Sequence, residues 1–261
     1  MLTTNRQGPV RVGPRLLTPE DMTALIAGQV DAIHVPGFAT AAECAELLQF
    51  FTHHPRAKLY GTVGGILRLG TSLNDARKVG TMDEFDAQDV LCEAMGVNGA
   101  LPRVLGRIAG AWPAGVETFA YEGVPLHRTI FRRMPSGCSA PHDDNISKEL
   151  PDDPIAREVT VQLGVNLYLE MPPTGGELDG WRLALTSDEY ESLRSTEPGR
   201  TYGVRRDEIG PADWQLSPAT GDVIVIRTSD VHAICDSPSH RSTWGFFLGY
   251  RGDRRSLLVW S

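Results

Sequence analysis

Pro141-His142-Asp143-Asp144 sets an imidazole and a carboxylate two positions apart. On an extended strand, residues i and i+2 point to the same face. His142 and Asp144 can therefore grip one ion together, with Asp143 turned away. A second histidine from elsewhere in the chain would complete a 2-His-1-carboxylate facial triad, the donor set that leaves positions open on non-haem Fe(II). Chance alone is expected to supply such a pair in a chain with 7 histidines and 33 acidic residues. Its weight therefore depends on the rest of the chain.

His232 stands just past the apolar run Val223-Ile224-Val225-Ile226, and Arg241 and Thr243 come after it. Arg241, Thr243, Gly245 and Phe247 alternate and share one strand face. A guanidinium beside a hydroxyl and small residues suits a ligand carboxylate, offering a planar fork for paired hydrogen bonds and room to approach. Taken singly, His232 reads as a structural histidine, and Arg241 as a surface charge.

Several elements must position these groups. Leu126–Met134 reads as a strand, followed by a turn at Pro135-Ser136-Gly137. From Glu158 to Leu169, apolar Val161, Leu163, Val165, Leu167 and Leu169 alternate with Gln162, Gly164, Asn166 and Tyr168, the pattern of a strand with two different faces. Gly221-Asp222 opens the strand ending at Ile226, and Arg241–Tyr250 is a further strand. Residues 182–218 are polar and read as a long insertion, a candidate lid. Ahead of these strands the texture is helical. Thr18-Pro19-Glu20-Asp21 is a helix start, and Thr40 with Glu43 is a capping box for a helix from Ala41 to about Thr52. Residues 83–111 read as two helical pieces broken near Gly96-Val97-Asn98-Gly99. Ala32–Pro36 reads as a strand. The Gly-rich residues 60–70 lack a Walker lysine and a GxGxxG spacing, which disfavours a phosphate loop. His53 and His54 end a helix and read as partners of its dipole.

The composition is that of one globular domain over 1–261, with a mostly helical part (1–115) and a strand-rich core (116–261). The chain is 41% hydrophobic and 22% charged, with a formal net charge of −8. That acidity disfavours a nucleic-acid surface, and no apolar run is long enough for a membrane helix. The N-terminal residues lack a signal-peptide core. Cys44, Cys92, Cys138 and Cys235 form no CxxC pair and are expected to be reduced thiols in a cytoplasmic protein.

In order, HxD, Gly175-Gly176-Glu177-Leu178-x-x-Trp181, a polar insertion, Gly221-Asp222-Val223, His232 and Arg241-x-Thr243 resemble the Fe(II)/2-oxoglutarate-dependent oxygenases. The resemblance is to a bacterial branch that hydroxylates free or N-acylated amino acids and contains carrier-independent aliphatic halogenases. It implies a mainly β fold with flanking helices, a double-stranded β-helix (a cupin-like jelly roll). It implies His142, Asp144 and His232 as iron ligands, and Arg241 with Thr243 around the distal carboxylate of 2-oxoglutarate. Fe(II) would be the metal, with 2-oxoglutarate and O2 as co-substrates. The implied reaction is hydroxylation of an unactivated C–H bond of a small molecule such as an amino acid, an amino acid derivative or a natural-product intermediate. The halogenases lack the carboxylate ligand, so Asp144 places this chain with the hydroxylases. Asn166 and Gln162 are candidates for the co-substrate's C1 carboxylate or for internal hydrogen bonds. Arg68, Arg132 and Trp181 are candidate substrate contacts. Two alternatives stay open: desaturation, epoxidation or cyclisation with the same cofactors, and a non-catalytic cupin-like binding module. A small-molecule partner is expected, with no nucleic acid and no membrane, and a homodimer is compatible with the sequence.

Overall fold

The computed structural model describes residues 17–59, 65–70, 72–73, 87–126, 128–135, 139–195 and 203–261. The N-terminal residues up to 16, the Gly-rich residues 60–64, the start of the helical stretch at 83–86, Ser136-Gly137 of the expected turn, Cys138 and residues 196–202 of the expected insertion lie outside them.

The strands are β1 (Ala32–Val35), β2 (Lys58–Leu59), β3 (Leu67–Leu69), β4 (Val116–Thr118), β5 (Ala120–Tyr121), β6 (Val124–Pro125), β7 (Ile130–Met134), β8 (Ser139–His142), β9 (Val161–Glu170), β10 (Leu178–Gly180), β11 (Trp214–Leu216), β12 (Val223–Arg227), β13 (His232–Ile234), β14 (Arg241–Tyr250) and β15 (Leu257–Trp260). The larger helices are α1 (Pro19–Ile26), α2 (Ala41–His53), α3 (Ala87–Val97) and α4 (Ala100–Ala111). A major sheet runs β1-β12-β9-β14-β7-β3-β2, and a minor sheet runs β11-β10-β13-β8. From β7 to β10 and from β11 to β14, successive strands alternate between the two sheets, all by antiparallel pairing. That alternation is the winding of a double-stranded β-helix, the jelly roll expected from the sequence.

The faces of β9 and β14 decide which side is core and which is site. Leu163, Val165, Leu167 and Leu169 of β9, with Trp244, Phe246 and Leu248 of β14, pack outward against Cys44, Leu47 and Phe51 of α2 and Leu101, Val104 and Ile108 of α4. Each such buried side chain contributes about 1.5–3 kcal/mol by leaving water. Helices therefore clamp the outer face of the major sheet, and the opposite face, carrying Asn166, Tyr168, Arg241 and Thr243, is turned toward the minor sheet.

Element boundaries differ from the expected ones where packing outweighs local pattern. The strand expected over Leu126–Met134 begins at Ile130, and Glu158 ends a 3-10 turn (Ala156–Glu158) before β9. Within the stretch read as an insertion, Trp214–Leu216 forms β11 and pairs with β10. Gly180 makes that pairing feasible, since a Cβ there would come 2.0 Å from the Trp214 ring.

Candidate metal centre and the adjoining pocket

His142 ends β8 and His232 begins β13, and the two are paired directly across the minor sheet. Their ring centroids lie 4.4 Å apart. Asp144 follows two residues beyond His142, its backbone N–H donating to the Thr228 carbonyl at 2.8 Å. That bond pins the turn leaving β8 to the chain just ahead of His232. The Asp144 Oδ2 is 3.6 Å from His232 Nε2 and 4.0 Å from His142 Nε2. The three donor atoms lie within 4.8 Å of one another, the one cluster of this kind among the described residues.

The tautomers suit a metal. His142 Nδ1 is 2.8 Å from the Ala140 carbonyl, and His232 Nδ1 is 3.1 Å from the Asp230 carbonyl. A carbonyl only accepts, so each Nδ1 carries the proton and each Nε2 keeps a lone pair for an ion. Burial, helped by the charge of His232, lowers the His142 pKa to about 4. Burial also opposes a proton on His232, but the nearby Asp144 carboxylate outweighs it and raises that pKa. Two imidazoles and one carboxylate, with no fourth protein donor among the described residues, are the donor set of a facial triad.

Asp143, beyond the end of β8, does not join these atoms. Its buried carboxylate is ion-paired with Lys148. Burial raises its pKa, and Lys148 offsets part of that rise.

On the inner face of the major sheet, Arg241 is buried. Its Nη2 donates to the Tyr168 hydroxyl at 3.2 Å, and Nη1 lies 3.7 Å from Met134 Sδ. Its Nε is buried with no hydrogen-bond partner. An unmet buried N–H costs about 1–3 kcal/mol, so a ligand acceptor brought to this donor would be stabilised there. Thr243 shares the face, set between Tyr168 of β9 and Arg132 of β7. Asn166 lies across Gly245, where a Cβ would meet its Oδ1 at 2.5 Å; only glycine admits it there. Arg132 pairs in register with Arg68 of β3, so both guanidinium groups stand on this same face. The charge of Arg132 is among those that lower the His142 pKa, after burial and the charge of His232.

Two candidates have other duties. Trp181 is buried with Leu183, Leu185, Val204 and Val231 beneath the insertion, its Nε1 donating to the Gly210 carbonyl at 3.0 Å. Its ring packs with Val231 and Ala233, the neighbours of His232, and its backbone N–H donates to the Val231 carbonyl at 2.9 Å. Gln162 accepts from the Ile146 backbone N–H at 2.7 Å, fixing the short helix Ile146–Glu149. His54 pairs with Glu93 at 2.9 Å. Two residues of the site, Tyr168 and Lys148, have no role assigned from the sequence. Tyr168 carries a usable signal, a polar-tipped residue on the same face of β9 as Asn166; Lys148 carries none.

No family model matches the chain, and no curated protein matches it by sequence. Solved structures do match it. The N-substituted L-amino acid dioxygenase of Burkholderia ambifaria AMMD is 18% identical with a TM-score of 0.59, over 93% of this chain and 91% of that one. The same dioxygenase in complex with alpha-ketoglutarate gives 16% and 0.60 over the same shares. HygX from Streptomyces hygroscopicus, with nickel and 2-oxoglutarate bound, gives 13% and 0.51, over 90% and 87%. At such identities the likeness establishes a shared fold.

Proposed function

We propose that the chain is a non-haem Fe(II)/2-oxoglutarate-dependent oxygenase that hydroxylates an unactivated C–H bond of a small molecule carrying an acidic group, such as an amino acid derivative or natural-product intermediate. The observation that carries this reading is the convergence of His142, Asp144 and His232, with the Nε2 lone pair of each imidazole left for one ion. The fold shared with dioxygenases supports it.

His142, Asp144 and His232 would hold Fe(II). Arg241, whose Nε has no partner in the protein, would hold the distal carboxylate of 2-oxoglutarate beside Thr243. Bound together, the metal and the keto acid supply the oxidising power: O2 is consumed, CO2 and succinate leave, and the substrate gains one oxygen atom. The protein's part is to position and to exclude. Tyr168 would orient the Arg241 fork, Asn166 on the same face would reach toward the co-substrate, and Arg132 with Arg68 would line the approach for the substrate. Two cations facing one another across neighbouring strands suit a substrate carboxylate. No side chain is assigned as a general base.

An intracellular setting is our reading of Cys44, Cys92 and Cys235, none of which forms a disulfide. No described helix is long and apolar enough to cross a membrane.

The test is anaerobic reconstitution with Fe(II), followed by a mass-spectrometric screen of free and N-acylated amino acids with 2-oxoglutarate and O2. A gain of one oxygen atom in an acidic compound is expected, lost or much slowed in Arg132→Met. Products that are desaturated or cyclised would redirect the outcome while keeping the cofactors. Failure to bind divalent metal would leave a cupin-like binding module as the better reading.

A further inference from the structure

Asp143 and Asp144 are adjacent carboxylates at the end of β8, yet only Asp144 joins the two imidazoles. Asp143 is not remote: it is buried and stands in the chain between His142 and Asp144. A short acid side chain this close to an ion is a competing ligand unless something holds it. Lys148 is the holding group, its ammonium ion-paired with Asp143 Oδ2.

Lys148 is itself held. It sits on the short helix Ile146–Glu149, whose start is fixed twice: Asn145 Oδ1 accepts from Ser147 N at 3.1 Å, and Gln162 Oε1 accepts from Ile146 N at 2.7 Å. Its ammonium also lies 5.8 Å from the ring centroid of Tyr190, on the helix Ser187–Leu193. An ammonium over an aromatic face is attracted to it. The chain beyond Tyr190 returns to the same place: Val204 N donates to the Pro141 carbonyl at 2.7 Å, one residue before His142. Gly203 permits that contact, since its φ is +95° and a Cβ there would meet Ala140 Cβ at 2.7 Å.

We propose that Lys148 is a positioning residue that keeps Asp143 off the metal, leaving Asp144 the sole carboxylate donor and the remaining coordination positions open to the co-substrate. The inference rests on the metal reading of the triad. A buried carboxylate deprived of its cation must find another positive charge or take up a proton, and an ion held by the two histidines is such a charge close at hand.

The test uses Co(II) binding to the full chain, read by equilibrium dialysis and by the visible absorption of the bound ion, with no turnover. Asp144→Gly should weaken binding by at least about tenfold, because a donor is gone while Asp143 stays tied to Lys148. Asp144→Gly with Lys148→Met should recover at least about tenfold, with a spectrum returning toward wild type, because the freed Asp143 takes the vacant place. Adding Asp143→Asn should abolish the recovery, and Lys148→Arg in place of Lys148→Met should give none. Loss of a cation also strengthens metal binding through its field alone, so Asp144→Gly with Arg132→Met is the control. Equal recovery in that control, or no recovery with Lys148→Met, overturns the inference. Should the Lys148→Met variants not fold, Asp143→Asn alone decides: affinity within about threefold of wild type is expected, and a loss as large as that of Asp144→Gly overturns the assignment. A wild-type protein that binds no Co(II) overturns the metal reading itself, and this inference with it.

Discussion

The guanidinium of Arg241 lies over the ring of Tyr168, 4.9 Å from its centroid, while its Nη2 donates to the phenol oxygen. One tyrosine therefore supplies both a stacking surface and an acceptor, which fixes the plane of the fork and leaves Nε for a ligand. The pairing crosses from β14 to β9, next to the irregular register between Ser242 and Thr243.

Tyr168→Phe keeps the stacking and removes the acceptor. The lost hydrogen bond is worth about 0.5–1.5 kcal/mol, or about 2- to 12-fold in 2-oxoglutarate affinity, with metal affinity unchanged. Anaerobic titration of 2-oxoglutarate into the Fe(II) protein measures it. Unchanged 2-oxoglutarate affinity would mean that Tyr168 only fills space.

Arg241→Ala removes the cation itself. Truncating one partner of a buried charge pair costs about 2–5 kcal/mol, so the 2-oxoglutarate requirement should rise at least thirtyfold or so. Iron content should stay near wild type, because the ligands stand on other strands. If the variant kept its affinity, Arg132 would be the next candidate for the co-substrate's carboxylate.

His142→Ala and His232→Ala should each lose metal binding, and wild type should melt higher with metal than without. At a free ion concentration a hundred times the dissociation constant, the folded state gains about 2.7 kcal/mol, a rise of roughly 5–10 °C for a chain of this size. Thermal scans with Co(II) and with a chelator check this. A variant in which the shift persists would remove that histidine from the ligand set.

Asp144 also bears on the product. With His142, Asp144 and His232 holding the metal and 2-oxoglutarate bound to it, the site would keep room for O2 and none for a halide. Chloride then has no place at the metal, so the product should be oxygenated and insensitive to chloride. Running the wild-type reaction in high chloride with mass-spectrometric detection tests this; a chlorinated main product would refute Asp144 as a ligand.

The triad is legible in the sequence from the HxD spacing and from the order in which His232 follows, although Asp144 lies beyond the end of β8 and a register shift separates Ser242 from Thr243 in β14. The faces of β9 are legible because strand parity is a two-residue rule. Local pattern fails where a contact lies far away in the chain. Trp181 is a candidate pocket residue in the sequence, and its indole partner, the Gly210 carbonyl, lies 29 residues on within the stretch read as an insertion. β11 is three residues long, too short for its alternation to stand out from the polar stretch around it; its pairing with β10, where Trp214 lies against Gly180, makes it a strand. Lys148 is invisible because its meaning comes from Asp143 and from Tyr190, which stands on a helix inside a stretch that reads as featureless and polar.

The pairing of His142 with His232 spans the two ends of a long stretch of chain that contains β9 to β12. An ion shared by them acts as a reversible cross-link across that whole loop, of the kind whose entropic value grows slowly with loop length. The strands it ties, β8 and β13, are only four and three residues long, whereas β9 and β14 have ten each and are backed by helices. Amide hydrogens of β8 and β13 should therefore exchange with solvent sooner than those of β9 and β14 in the metal-free protein, and loading the metal should slow the first pair far more than the second.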